Sequence, residues 1–225
     1  MDGMFQNSLF LLVIHLLINP LNIGAREMPP PHELTVNMLP AAEQVFLNGY
    51  PVPTPLEEAV TRRENYQFTE ISTHHPSFGW MVRSTTDNTK QTAYRILIAS
   101  NEDIMARDSA DLWDTGKISS IQSINIPYEG KQLEPGKVYF WKVKTWDNQG
   151  RESAFSDIAR FKTADMLVTY ATDRYPIQKQ DDYPVSIERV NDNVHFADFG
   201  KASFGRLRVN LYSETGTDCV TILLG

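Results

Sequence analysis

The chain holds a single cysteine, Cys219, and so has neither an intrachain disulfide framework nor a cysteine-cluster zinc site. It has no run of lysine and arginine, and Lys+Arg 21 against Asp+Glu 28 leaves a net charge of −7. That excludes a surface able to replace the counterions of nucleic acid. An unaided membrane span is missing too, because the apolar run from Ser8 to Ile18 has only the length of a signal-peptide apolar region. What is present is 225 residues, 41% hydrophobic and 11% aromatic, enough for one full core and part of another. Cohesion must come from packing.

Residues 1–25 read as a signal peptide, with small residues at Gly24 and Ala25 for cleavage, although the leading segment carries Asp2 and no lysine or arginine. The expectation is an exported chain, periplasmic or extracellular, with no stable membrane span after cleavage. Residues 26–68 hold seven of the 13 prolines and read as an extended, Pro-rich arm. One short helix is expected inside it, with Thr54 as cap, Pro55 in the first helical position, Glu57 reaching back, and an end towards Asn65.

Strand patterning begins at Pro76. Phe78, Trp80 and Val82 alternate with polar or small residues, and after a polar turn Tyr94, Ile96 and Ile98 lie on one side with Arg95 on the other. A polar loop is expected after Ser100, then further strand material at Asp111–Lys117 and Ser123–Tyr128. The stretch Leu133–Gly150 carries the strongest signal. Pro135-Gly136 breaks the chain, Tyr139, Trp141, Val143 and Thr145 alternate with Phe140, Lys142, Lys144 and Trp146, and Asp147–Gly150 closes a turn. The lysines mark the second face as wet. A tyrosine six residues after Leu133 fits a tyrosine corner, whose hydroxyl returns to backbone a few residues upstream.

That stretch, with Ser153, Ser156, Phe161 and Thr163, resembles the closing half of a fibronectin type III repeat. Pro76-Ser-Phe-Gly-Trp80, Gln91-Thr-Ala-Tyr94, Asp111-Leu-Trp-Asp-Thr-Gly-Lys117, Tyr128-Glu-Gly130 and the corner run then occur in the order seen at the start of bacterial α-L-rhamnosidases, glycoside hydrolase family 78. Residues 195–205 are similar to the segment with which that family's next β-sandwich begins. The resemblance implies an all-β chain: a fibronectin type III/immunoglobulin-like sandwich over residues 69–164, a linker over 165–182, and the start of a second, incomplete sandwich over 183–225. In that second unit Leu207–Leu211 and Thr217–Leu224 are the expected strands. The arm before Pro76 is longer than the family usually carries.

The resemblance implies a non-catalytic N-terminal fragment. The family reaction is inverting hydrolysis of terminal α-L-rhamnose, by a carboxylic acid and a carboxylate that activates water. Both belong to a helical barrel, so no catalytic residue is carried over to this chain. The implied partners are that barrel and the family's glycan substrate. The rival expectation is a stand-alone exported module that binds glycan or protein, or adheres.

Other chemistry fails on its residues. Asp198-Phe-Gly200 matches a kinase metal-binding triplet without the glycine-rich loop or the His-Arg-Asp segment. His74-His75 has no third ligand at metal spacing, and Asp147–Glu152 lacks the alternation of a calcium loop. No cofactor or metal residue is expected, and substrate-binding positions are left unassigned. Trp80 and Trp141 read as core; Trp146, sharing a face with the lysines, is the aromatic that exposure would make a sugar contact. Cys219 reads as a buried small residue.

Overall fold

The computed structural model describes residues 28–84, 86–169, 172–216 and 218–225; the expected signal peptide lies outside them. A first unit ends at Gln178 and a second runs from Lys179 to Gly225. In chain order the first contains strands β1 (His32–Val36), β2 (Leu39–Pro40), β3 (Val45–Leu47) and β4 (Tyr50–Val52), then helix α1 (Leu56–Thr61). There follow β5 (Ile71–Thr73), β6 (Ser77–Met81), β7 (Gln91–Ala99) and helix α2 (Glu102–Ala106). The remaining strands of this unit are β8 (Trp113–Asp114), β9 (Ile118–Ser119), β10 (Ile126–Pro127), β11 (Val138–Asp147) and β12 (Ala159–Val168). The second unit contains β13 (Ser186–Asn191) and β14 (Val194–Asp198).

The two strongest period-2 segments pair with each other. β7 and β11 run antiparallel with Trp141 opposite Ile98, Val143 opposite Ile96 and Thr145 opposite Tyr94, so one apolar face is continuous across both strands. β12 extends this sheet on one side and β5 joins it in parallel, giving the order β5-β12-β11-β7-β8, with β9 also on β7. A smaller sheet, β10-β6-β1-β2, lies opposite and contributes Val36, Phe78, Trp80 and Ile126 to the same buried cluster. Phe78 sits where the layers meet, its ring 4.7 Å from Trp141 and 5.8 Å from Phe161. The result is an all-β, immunoglobulin-like sandwich.

The corner forms as the sequence implied. The Tyr139 hydroxyl accepts a hydrogen bond from the Glu134 amide at 2.7 Å, which ties the start of β11 to the chain before Pro135. Trp80 also finds a partner for its indole, which donates to Gln91 Oε1 at 2.9 Å, while Gln91 donates onward to the carbonyls of Ser120 and Gln122.

The expected extended arm is instead part of the fold. β1 sits between β6 and β2, and Val36 and Ala42 are buried in the main core. The remainder of residues 28–68 builds a satellite cluster in which Val45, Leu56 and Ala59 are buried against Val52, Tyr66 and Phe68. Proline is compatible with this because the chain reverses twice at residues in the left-handed region, Asn37 and Met38 (φ 50° and 63°), then Asn48 and Gly49 (φ 53° and 87°). The second pair is a type I′ hairpin between β3 and β4. The sandwich therefore begins about forty residues before the expected boundary at 69. The expected linker is also partly ordered: β12 continues to Val168, and Asp173 accepts from the Ser72 amide and from Asn37.

The short helix is real but shifted. Pro55 is its cap residue rather than its first helical position, no side chain caps it, and it ends at Thr61 rather than near Asn65. Thr54 therefore lies one residue too early to cap.

The second unit departs further. Leu207–Leu211 and residues 217–224 form no strand among the described residues; the ladder present is β13 with β14, all of whose residues are exposed. Alternating apolar residues make a strand only when another strand supplies hydrogen bonds, and none of the described residues buries this hairpin. Cys219 is accordingly exposed, not buried.

Candidate functional site

The outer face of the large sheet, where Lys142 and Lys144 were expected in water, carries an open groove. Two segments cover it. Asn101 caps α2 by accepting from the Ile104 amide at 3.0 Å, and the helix lays Met105 onto Leu97, Ala99 and Phe140. On the other side Phe155 and Ile158 pack against the same cluster. The Lys142 side chain is consequently only 5% exposed; its ammonium donates to the Met105 carbonyl at 2.5 Å and pairs with Asp108. The four-carbon stem fills apolar space while the head finds its partners at the end of α2.

Residues 153–156 run alongside β11 and use serine hydroxyls as ladder acceptors. Ser153 Oγ accepts from the Thr145 amide at 3.0 Å and Ser156 Oγ from the Val143 amide at 3.1 Å, while the two serine amides donate to the Thr145 and Val143 carbonyls. The segment leaves an open groove of about 760 Å³ between itself and α2, with Lys142 and Lys144 on its floor and Glu102, Asp108, Phe155 and Asp157 on its sides. Lys144 pairs with Glu152, which also accepts from the Trp146 indole at 3.0 Å. Arg160 bridges Glu57 at 2.8 Å and Glu102 at 2.5 Å, joining α1 to α2 across β12.

Trp146 is buried in this layer, 8% exposed, with the Lys117 ammonium 4.4 Å from its ring centroid. It presents no free face for a sugar. Trp80 and Trp141 are core, and Trp113 is half-buried against Phe78 and Tyr128. The Asp147–Glu152 stretch is a turn, in which the Asp147 carboxylate accepts from the amides of Gln149 and Arg151 and from Arg151 Nε at 2.7 Å. Asp198 Oδ1 accepts from the Gly200 amide, closing a turn after β14.

Three carboxyls on and beside this face are held below their ordinary values. Burial alone would raise the Asp147 carboxyl, but the hydrogen bonds from Arg151 and Gln149 outweigh it and hold the group below its ordinary value. Arg95 does the same to Asp114, and Lys144 to Glu152. Glu43 is displaced the other way, upward, because burial outweighs the hydrogen bonds and charge at Arg160. An acid paired with a base requires two carboxyls displaced apart across one cleft. No carboxyl with a lowered value bonds to Glu43 among the described residues.

A lowered carboxyl binds protons more tightly when unfolded, so its contribution is complete above the unfolded value and is lost as pH falls through the folded one. Asp147→Asn is therefore expected to be less stable than the natural chain at neutral pH and to draw level with it in strong acid. Thermal melts from about pH 7 to pH 2 check this; a gap that stays constant across the range contradicts the assignment.

The features that the sequence reading left out were α2 and the Ser153/Ser156 ladder. A signal for the first was available: Asn101 followed by Glu102 and Asp103 is a capping residue with an acidic first turn.

Residues 60–166 match the family described as Rha78A-like, N-terminal immunoglobulin domain. An alpha-L-rhamnosidase of Formosa agariphila is 37% identical over 92 residues, 41% of this chain and 10% of its own length. One from Streptomyces avermitilis is 37% identical over 82 residues, covering 36% of this chain and 8% of its own. The solved structure of an alpha-L-rhamnosidase from Dictyoglumus thermophilum aligns with 62% of this chain and 13% of that one, at 32% identity and a TM-score of 0.47. The matched region spans about a tenth of the length of the curated relatives.

Proposed function

We propose, from the premise that residues 60–166 are an N-terminal immunoglobulin domain of the Rha78A-like kind, that this chain is the non-catalytic front part of an alpha-L-rhamnosidase-like glycoside hydrolase. Its role in that reading is to pack against a catalytic barrel and shape the approach of a glycan. The observation that carries it is the match of this region to alpha-L-rhamnosidases, over about a tenth of their length. Inverting hydrolysis sets an acid and a base roughly 6.5–9.5 Å apart with room for water. Such a pair falls to residues other than those described. Export, to the periplasm or the extracellular space, belongs to the same proposal and rests on the apolar run Ser8–Ile18.

The second unit bears on the choice between this reading and a stand-alone binding module. A two-stranded hairpin is marginal without further strands, and Val194, Phe196, Leu207 and Leu211 are exposed in it. In hydrogen exchange residues 183–225 are expected to exchange fast while Tyr94–Ile98 and Tyr139–Val143 stay strongly protected. Equal protection of the two regions in a monomer would make the second unit complete as it stands and favour the stand-alone module.

A further inference from the structure

Asn48-Gly49 is the single Asn-Gly pair in the sequence. It supplies the two central residues of the β3–β4 turn, both in the left-handed region. Glycine leaves the amide nitrogen after Asn48 unshielded by any side chain, which favours its attack on the asparagine carboxamide. Asn48 is exposed, and its carboxamide has no hydrogen-bond partner among the described residues. The nucleophile, by contrast, is held: the Gly49 amide donates to Gln67 Oε1 at 3.0 Å. Gln67 is in turn fixed beside β3, since its amide and carbonyl exchange hydrogen bonds of 2.8 Å with those of Phe46.

We propose that Asn48 is a site of hydrolytic modification, deamidating through a cyclic imide, and that Gln67 is the latch that sets its rate. In the first step the Gly49 nitrogen gives up its proton to solvent and bonds to Asn48 Cγ. The carboxamide C–N bond breaks and its nitrogen leaves, protonated, as ammonia. Water then opens the five-membered ring at either carbonyl, giving aspartate or isoaspartate, and no other co-reactant is needed. Ring closure requires the Gly49 nitrogen to eclipse Asn48 Cβ, far from the ψ of about 30° at the first central residue of a type I′ turn. That rotation carries the Gly49 N–H away from Gln67. The one hydrogen bond therefore opposes both loss of the proton and closure of the ring.

The two products differ in consequence. Aspartate keeps the turn, because Asp-Gly also suits type I′. Isoaspartate routes the main chain through Cβ and lengthens it by one carbon, which breaks the register that sets Phe46 opposite Pro51 and Val45 opposite Val52. Val45 and Phe46 are buried, and the Tyr175 ring packs edge-on against Phe46 with centroids 5.8 Å apart. The satellite cluster and the segment docked after β12 both loosen.

The test is ageing of the full chain in mildly alkaline buffer, followed by peptide mapping for the mass change of amide to acid and by an isoaspartate assay. Asn48 is expected to convert before any other asparagine among the described residues, with isoaspartate in excess and a rate that rises with pH. Gln67→Met, similar in size but without the acceptor, is expected to speed conversion roughly threefold to tenfold, the worth of one hydrogen bond. Gln67→Glu keeps an acceptor and is expected to stay slow. The isoaspartate fraction should melt below freshly prepared Asn48→Asp, which carries the same charge without the extra carbon. In the natural chain, hydrogen exchange at the Gly49 amide is expected to be slowed, a reading that needs no variant to fold. Earlier conversion at another described asparagine, equal rates for the natural chain and both Gln67 variants, or an unprotected Gly49 amide would each overturn the latch. Identical melts of the isoaspartate fraction and Asn48→Asp would overturn the loosening.

Discussion

A chain that begins at Val60, where the family match begins, is expected to show no cooperative unfolding transition. Removing residues 1–59 takes away β1 to β4 and most of α1, and with them Val36, Val45, Phe46 and Leu56, each at most 1% exposed. Full burial of such side chains is worth about 1.5–3 kcal/mol each, so the four together approach the roughly 5–15 kcal/mol that holds a typical domain. The loss is also topological. The smaller sheet is reduced to β10 and β6, leaving Phe78 and Trp80 under a two-stranded layer. Calorimetry and near-ultraviolet circular dichroism of the shortened chain check this. A sharp melt with native near-ultraviolet signal would mean that residues 28–59 are an accessory after all.

Trp141→Ala is expected to destabilise by about 3–5 kcal/mol, the range for deleting a large core aromatic. Trp141 is fully buried, lies opposite Ile98 and Ala159 on its two neighbouring strands, and packs on Phe78. Its indole nitrogen has no hydrogen-bond partner among the described residues. The loss is therefore one of packing, and no acceptor is orphaned by the change. Trp141→Phe, which removes the unpartnered donor together with part of the ring, is expected to cost much less. Denaturant midpoints of the two variants check the pair; equal and small losses would show that β11 is not the central core strand.

The elements that the sequence disclosed are those whose pattern is local. Tyr94, Ile96 and Ile98, and Tyr139, Trp141 and Val143, each alternate within one strand, and a strand's inner face follows from that period alone. The tyrosine corner is equally local, with Leu133, Pro135, Gly136 and Tyr139 within seven residues. What stayed hidden depends on distant segments. Lys142 and Lys144 alternate like residues on a wet face, and their burial is decided by α2 and residues 153–158, which no period in β11 announces. The same cover buries Trp146 and opens the groove beside it, so the candidate site could not be read from β11.

Prolines misled in the opposite direction. Seven of them in residues 26–68 suggested extension, while the hairpin signal at Asn48-Gly49 lay between them. At the other end Leu207, Val209 and Leu211 alternate as a strand should, yet a strand needs a backbone ladder and none forms there among the described residues.

The central proposal is that this chain carries no glycosidase machinery of its own. The measurement is release of the aryl group from an aryl α-L-rhamnoside by the purified chain, compared with variants in which individual aspartates and glutamates are replaced by their amides. The account predicts no release above the uncatalysed rate for the natural chain or for any variant. Turnover that disappears on replacing one or two carboxylates, Glu43 foremost because its carboxyl is the one displaced upward, would contradict it.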